Sequence, residues 1–163
     1  MIEAIEAYLA GINHELAVFL VSMIPVVELR GAIPFGVALG VDWIVAYVLA
    51  VIGNMLPIPF IIWFFRPIIN YMEKTKLFGK LASKLKHRTN NKMKNMNKKK
   101  LLGLYIFVAI PLPGTGAWTG AAVAALMKMR IKHSFWTIFA GVASAGIIML
   151  VISKLGEIFI NVF

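Results

Sequence analysis

The chain has 163 residues, 60% of them hydrophobic, and a strongly positive mean hydropathy, a composition that excludes a soluble globular core and belongs to integral membrane proteins. Its lack of cysteine excludes disulfides and thiolate metal sites. The formal net charge of +10 comes entirely from residues 73–100, where eleven Lys or Arg face one acid, so the charge marks a local connector and not a nucleic-acid surface.

Residues 1–13 open without the basic stretch of a signal peptide, and the N-terminus is expected to be retained. Ile2, Ile5, Leu9 and Ile12 share one helical face with Glu3, Glu6 and Asn13 opposite, the pattern of a helix lying in the membrane interface. Repeat one, residues 14–72, follows. Between residues 16 and 41 an apolar arm ends at Ile24-Pro25, a small or polar centre reads Val26-Val27-Glu28-Leu29-Arg30-Gly31-Ala32-Ile33-Pro34, and a second arm ends at Gly36-Val37-Ala38-Leu39-Gly40. Arms of about ten residues reach about half of a ~30 Å hydrocarbon core, so this stretch is expected to enter and return as a re-entrant hairpin. An apolar span at residues 43–65 completes the repeat. Its centre, Gly53-Asn54-Met55-Leu56-Pro57-Ile58-Pro59, predicts a kink at which the Asn54 amide satisfies freed backbone groups.

The positive-inside rule places the connector, residues 73–100, in the cytoplasm. Leu77, Phe78, Leu81 and Leu85 share a face ringed by Lys80, Lys84, Lys86 and Arg88, a basic amphipathic helix suited to an anionic leaflet, and residues 90–100 read as a polar hinge. Repeat two, residues 101–163, begins with 27 residues, 101–127, that carry no formal charge. Pro111, Pro113, Gly114 and Gly116 crowd their centre, where missing donors and low helical propensity break the helix. Bare backbone is costly in hydrocarbon, so such a break is shielded by protein or lines a wet cavity. A span at residues 135–153 follows, with Gly141 and Gly146 in a run of small residues that allows close helix approach. The halves share a layout in which Ile-Pro opens each break, and paired interrupted segments point to a transporter's binding site. If residues 101–127 turn back, Lys128, Arg130 and Lys132 stay on the connector's side. Then 15 of the 17 basic residues are cytoplasmic, Arg30 and Lys154 excepted.

Glu28 and Arg30 carry the most pointed chemistry, because ionisable groups at membrane depth are costly and rare. A carboxylate there suits proton binding and release, and the planar fork of arginine suits a phosphate or carboxylate. The alternative is a structural pair or cap that ties the broken backbone together. Pro25 and Pro34 bound this break, as Pro111 and Pro113 bound the other. The Gly114-Thr115-Gly116 run permits a tight turn, and the arm after it presents N-terminal amides that attract anions. Trp118 and Thr119 are candidates for the pocket wall. The pairs Gly36 and Gly40, and Gly116 and Gly120, read as helix-packing positions. His14, His87 and His133 lack metal-ligand spacing, and neither H-E-x-x-H, G-x-S-x-G nor paired carboxylates occur, so no metal, cofactor or enzyme activity is expected.

Glu28-Leu29-Arg30-Gly31-Ala32-Ile33-Pro34 and Pro111-Leu112-Pro113-Gly114-Thr115-Gly116-Ala117-Trp118-Thr119-Gly120 resemble the two signatures of the small multi-drug export protein family of prokaryotic membrane proteins. That family is distantly similar to the DedA and VTT membrane proteins, whose inverted repeats of re-entrant hairpins are linked to translocation of anionic lipids, undecaprenyl phosphate among them. The resemblance implies that Glu28 and Arg30 match the acidic residue and arginine of a DedA hairpin, whereas the second hairpin departs from that pattern by having no arginine. The expectation is an all-α polytopic protein of the prokaryotic plasma (inner) membrane, built from two inverted repeats, each a re-entrant helical hairpin plus a transmembrane helix. It would act as a small secondary transporter or lipid translocase, with Glu28 carrying a proton and Arg30 an amphipathic or anionic lipid-like substrate. Membrane lipids are expected partners, and a homodimer follows from the thin wall that so few helices make. The alternative function is a non-transporting membrane organiser that holds anionic lipid or a partner through its basic connector.

Overall fold

Asp42 shows how the helical elements are set locally: its carboxylate accepts the amides of Ile44 at 2.9 Å and Val45 at 3.3 Å, capping the helix that starts at Trp43. The structure, a computed structural model, describes residues 13–73, 93–112 and 114–162. These form seven helices and, among the described residues, no strand: α1 His14–Ser22, α2 Glu28–Ala38, α3 Trp43–Met55, α4 Ile58–Glu73, α5 Met93–Ala109, α6 Ala117–Leu126 and α7 Ile131–Val162. Two stretches are long and apolar enough to cross a membrane, Trp43–Ile68, which joins α3 to α4, and Ile131–Phe159 in α7. The expected kink is present. The ladder runs to the Leu56 amide on the Ile52 carbonyl at 3.1 Å, lapses at Pro57, which has no N–H to donate, and is seen again at the Ile61 amide on the Pro57 carbonyl at 3.0 Å.

The two long stretches lie antiparallel. The Lys154 ammonium sits 4.3 Å from the Trp43 ring centroid at one end, the Tyr47 hydroxyl donates to the Ala143 carbonyl at 3.1 Å further in, and Arg66 donates to the Met129 carbonyl at the other end. Two helical hairpins pack against them. In the first, α1 and α2 close face to face at Gly36, where an added Cβ would lie 2.6 Å from Val18 Cγ2 and 3.1 Å from Ala46 Cβ. In the second, Gly120 of α6 faces Val108 of α5, again with 2.6 Å between an added Cβ and Val108 Cγ2. The first hairpin opens beside the start of α3, and the second opens beside the Arg66–Met129 contact. Their tips therefore meet from opposite ends of the bundle. The first hairpin packs on α3 and the second on α7, while α2 also touches α7 and α6 touches α4, so each half braces the other.

Val18, Leu29, Ile33, Ile58, Ile62, Val108, Ile138 and Val142 are fully buried where these elements converge. The outer face is equally apolar: Phe60, Trp63, Phe64, Ile147, Val151, Leu155 and Phe159 are all exposed. A continuous apolar exterior of this kind is matched to lipid, where helices associate by close packing and interhelical hydrogen bonds rather than by escape from water.

Several boundaries differ from the sequence reading. The first break covers only residues 23–27, and Pro34 lies inside α2 rather than at a tip. Burial of Ala32, Ile33 and Gly36 holds that helix through the donor that proline lacks. Residues 93–100, read as hinge, are the first turns of α5, because lysine propagates a helix well and the apolar arm continues it. The last helix is longer than residues 135–153. Gly40, with φ 78, ends α2 through the Val41 amide on the Gly36 carbonyl, and an added Cβ there would meet nothing, so it makes a turn and not a packing contact. The interfacial helix of residues 1–13, apart from Asn13, the amphipathic face from Leu77 to Arg88 with His87, and Pro113 lie outside the described residues.

Candidate functional site

The candidate site is the junction of the two hairpin tips. In the first, the Ile24 carbonyl accepts the amides of Val27 at 3.2 Å and Glu28 at 2.8 Å, and the chain enters α2 with Glu28 at φ 51. That left-handed conformation costs a residue with a Cβ about 1–2 kcal/mol. Glu28 is buried, 5% exposed, and its Oε1 accepts the Trp118 amide at 3.2 Å, with the Ala117 amide also directed at it. The carboxylate thus occupies the N-terminus of α6, where unpaired amides and the positive end of the helix dipole favour an anion. Gly116 makes room for it. Its φ of 147 and ψ of −170 lie in a region open essentially to glycine, and an added Cβ would fall 2.7 Å from Glu28 Cδ and Oε1.

Arg30 grips the same tip from two residues further along α2. It donates through Nη1 to the Leu112 carbonyl and through Nη2 to the Ile110 carbonyl at 3.3 Å and the Thr115 hydroxyl at 2.9 Å. The two carbonyls lie past the end of α5, in a segment where prolines keep any following helix from supplying donors. The Thr115 hydroxyl accepts from Arg30 and faces the carbonyls of Ile110 at 2.9 Å and Leu112 at 2.8 Å. Glu28 therefore caps amides and Arg30 caps carbonyls, and the side-chain hydrogen bonds of both cross to the other hairpin.

The remaining candidates divide. Gly116, Thr115 and the Trp118 backbone belong to the junction, while Pro25 and Gly114 are exposed at the two tips and Pro111 is half-buried beside them. The Trp118 ring packs against the core, and its Nε1 is buried without a hydrogen-bond partner among the described residues. Thr119 is exposed, and its hydroxyl donates to the Gly116 carbonyl of its own helix at 3.3 Å. Pro34 sits within α2 and Asn54 within α3. Among the described residues no group of three or more His, Asp or Glu is placed to hold a metal ion.

Asn54 corrects an expectation. It is fully buried, and neither Oδ1 nor Nδ2 has a hydrogen-bond partner among the described residues, so it does not serve the backbone freed at the kink. The physical reason is that packing encloses the amide completely, where neither of its polar atoms meets a donor or acceptor. A buried unpaired amide costs about 1–3 kcal/mol. Asn54→Leu, close in shape and apolar, is therefore expected to raise the midpoint of thermal unfolding in detergent by a few degrees. A lowered midpoint would show that the amide is satisfied in the folded protein.

Three polar ties escaped the sequence reading. Tyr47 reaches the Ala143 carbonyl, the Tyr105 hydroxyl meets Ser144 Oγ at 2.9 Å, and Arg66 holds the turn after α6 at Met129. A tyrosine inside an apolar stretch is a usable signal, because its hydroxyl needs a partner once buried. The carbonyls of Ile110 and Leu112 have no such signal. No curated protein and no solved structure matches the chain. Residues 28–148, which hold Glu28, Arg30, the second hairpin tip and most of both long apolar stretches, match the family described as "Putative small multi-drug export protein", and this membrane protein belongs to that family.

Proposed function

We propose that the protein is a small secondary transporter or lipid translocase for amphipathic or anionic lipid-like molecules, in which the clasp between the hairpin tips is the gate. One observation carries this reading: the charged residues of one hairpin hold the broken tip of the other, Glu28 on the Trp118 amide and Arg30 on Ile110, Leu112 and Thr115. The hairpins are taken as re-entrant from opposite faces of the prokaryotic inner membrane and as inverted repeats, with the connector cytoplasmic and the chain working as a homodimer. Glu28 stands where a substrate anion would bind, at the start of α6. Protonation of Glu28, or arrival of an anionic head group, removes the reason for the carboxylate to stay there. The tips part, and Arg30 exchanges carbonyls for the head group.

In proteoliposomes the wild type is expected to move a fluorescent anionic amphiphile, and Glu28→Gln, which keeps an acceptor oxygen but not the charge, to lose at least about tenfold of that flux, roughly 1.4 kcal/mol. Single cysteines placed in this cysteine-free chain at residues 14 and 42 should label from one side of the membrane, and those at 100 and 128 from the other. Unchanged flux in Glu28→Gln removes its role, and labelling of 14 and 42 from different sides removes the hairpins. Intact topology with no flux in the wild type would favour the membrane organiser.

A further inference from the structure

A groove of about 360 Å³ runs between the two arms of the second hairpin, away from the tips. On α5 it is lined by Lys99, Lys100, Gly103, Leu104 and Phe107, spaced so that they form one stripe down the helix, and opposite them by Val123 of α6 and Met127 just past its end. Gly103 opens it. A Cβ added there would meet nothing within 4 Å, so unlike Gly120 this glycine is not required by a close neighbour, and its missing side chain leaves the groove floor bare. The groove is apolar along its length and carries its charge at one end, where Lys99 and Lys100 form the mouth. Arg130 and Lys132 are exposed just beyond Met127 at the same end. From Lys99 to Phe107 the helical rise gives roughly 12 Å, close to the ~15 Å thickness of one leaflet's acyl region.

We infer that this groove binds one anionic phospholipid, an acyl chain lying between α5 and α6 and the phosphate held by Lys99 and Lys100. Charge complementarity selects the occupant. A second apolar helix would leave two ammonium groups at the mouth unserved, and a zwitterionic lipid would bring a cation against them. The inference rests on the membrane setting of the second hairpin and not on transport, because lipid retention is read without any flux. The site lies at the open end of the hairpin, so the Glu28–Arg30 clasp is not part of it.

The full-length protein, purified in detergent, is titrated with phosphatidylglycerol and with phosphatidylcholine, and bound lipid is counted by native mass spectrometry. One phosphatidylglycerol is expected to bind in preference to phosphatidylcholine. Replacing both lysines, Lys99→Gln with Lys100→Gln, should weaken phosphatidylglycerol about thirty-fold, at roughly 1 kcal/mol per basic side chain, and leave phosphatidylcholine unchanged. Gly103→Phe fills the groove and should weaken both lipids, and Lys74→Gln with Lys76→Gln, which removes equal charge elsewhere in the connector, should change neither. Equal binding of the two lipids by the wild type overturns the site, as does unchanged phosphatidylglycerol binding in Gly103→Phe or in the Lys99 and Lys100 variant. The same loss in the Lys74 and Lys76 variant would replace the site with diffuse charge attraction and also overturn it.

Discussion

Gly116→Ala is expected to unclasp the hairpins and to lower the unfolding midpoint of the detergent-solubilised protein by roughly 10 °C. Two costs combine. At φ 147 and ψ −170 any residue with a Cβ is strained by about 1–3 kcal/mol. The new methyl would also lie 2.7 Å from Glu28 Cδ and Oε1, so the carboxylate must leave the α6 amides, losing a charged hydrogen bond worth about 1.5–3 kcal/mol. The sum of about 2.5–6 kcal/mol brackets that shift at about 2–4 °C per kcal/mol for a chain of this size. Gly114→Ala is the matched control: Gly114 has φ 82, but an added Cβ meets nothing within 4 Å. Only the strain remains there, about 1–2 kcal/mol. Equal shifts in the two variants would mean that the Glu28 contact contributes nothing.

Arg30→Ala should have the next largest effect, about 3 kcal/mol, because it leaves the carbonyls of Ile110 and Leu112 and the Thr115 hydroxyl without their shared donor. The Ile110 and Leu112 carbonyls keep the amides of Leu112 at 2.9 Å and Thr115 at 3.2 Å, so the loss is that of the Arg30 hydrogen bonds themselves, about 1 kcal/mol each at a partly exposed tip. Arg30→Lys separates charge from geometry, since a single ammonium cannot reproduce a planar fork reaching three acceptors. It should recover less than half of the loss. Amide hydrogen exchange in residues 110–118 is the local readout and should rise in both variants while exchange in α3 and α7 stays near that of the wild type. Wild-type behaviour of Arg30→Lys would show that the fork is irrelevant and that Arg30 acts as a point charge.

Much of this architecture was legible from local chemistry. Prolines at positions 25, 57 and 111 announce breaks because a missing N–H acts on its own turn, and the shared layout of the two halves needs only their order along the chain. The same local rule misjudged Pro34, where tertiary packing of Ala32, Ile33 and Gly36 outweighs one absent donor. It misjudged residues 93–100 as well, since polarity was read as a hinge although lysine-rich sequence continues a helix. Asn54 failed for a related reason: an amide next to a proline kink looks like a repair group, and only the tertiary packing puts it where its polar atoms meet no partner.

The sequence by itself determined that the chain is helical, that two stretches are apolar enough to cross a membrane, and that two further stretches break at their centres, because propensity, hydropathy and proline act over a few residues. It also singled out Glu28 and Arg30, since charges inside apolar runs are conspicuous. Only the tertiary structure decided what these two residues hold. Their partners are amides and carbonyls eighty to ninety positions away, and a backbone atom carries no residue type by which a sequence could announce it.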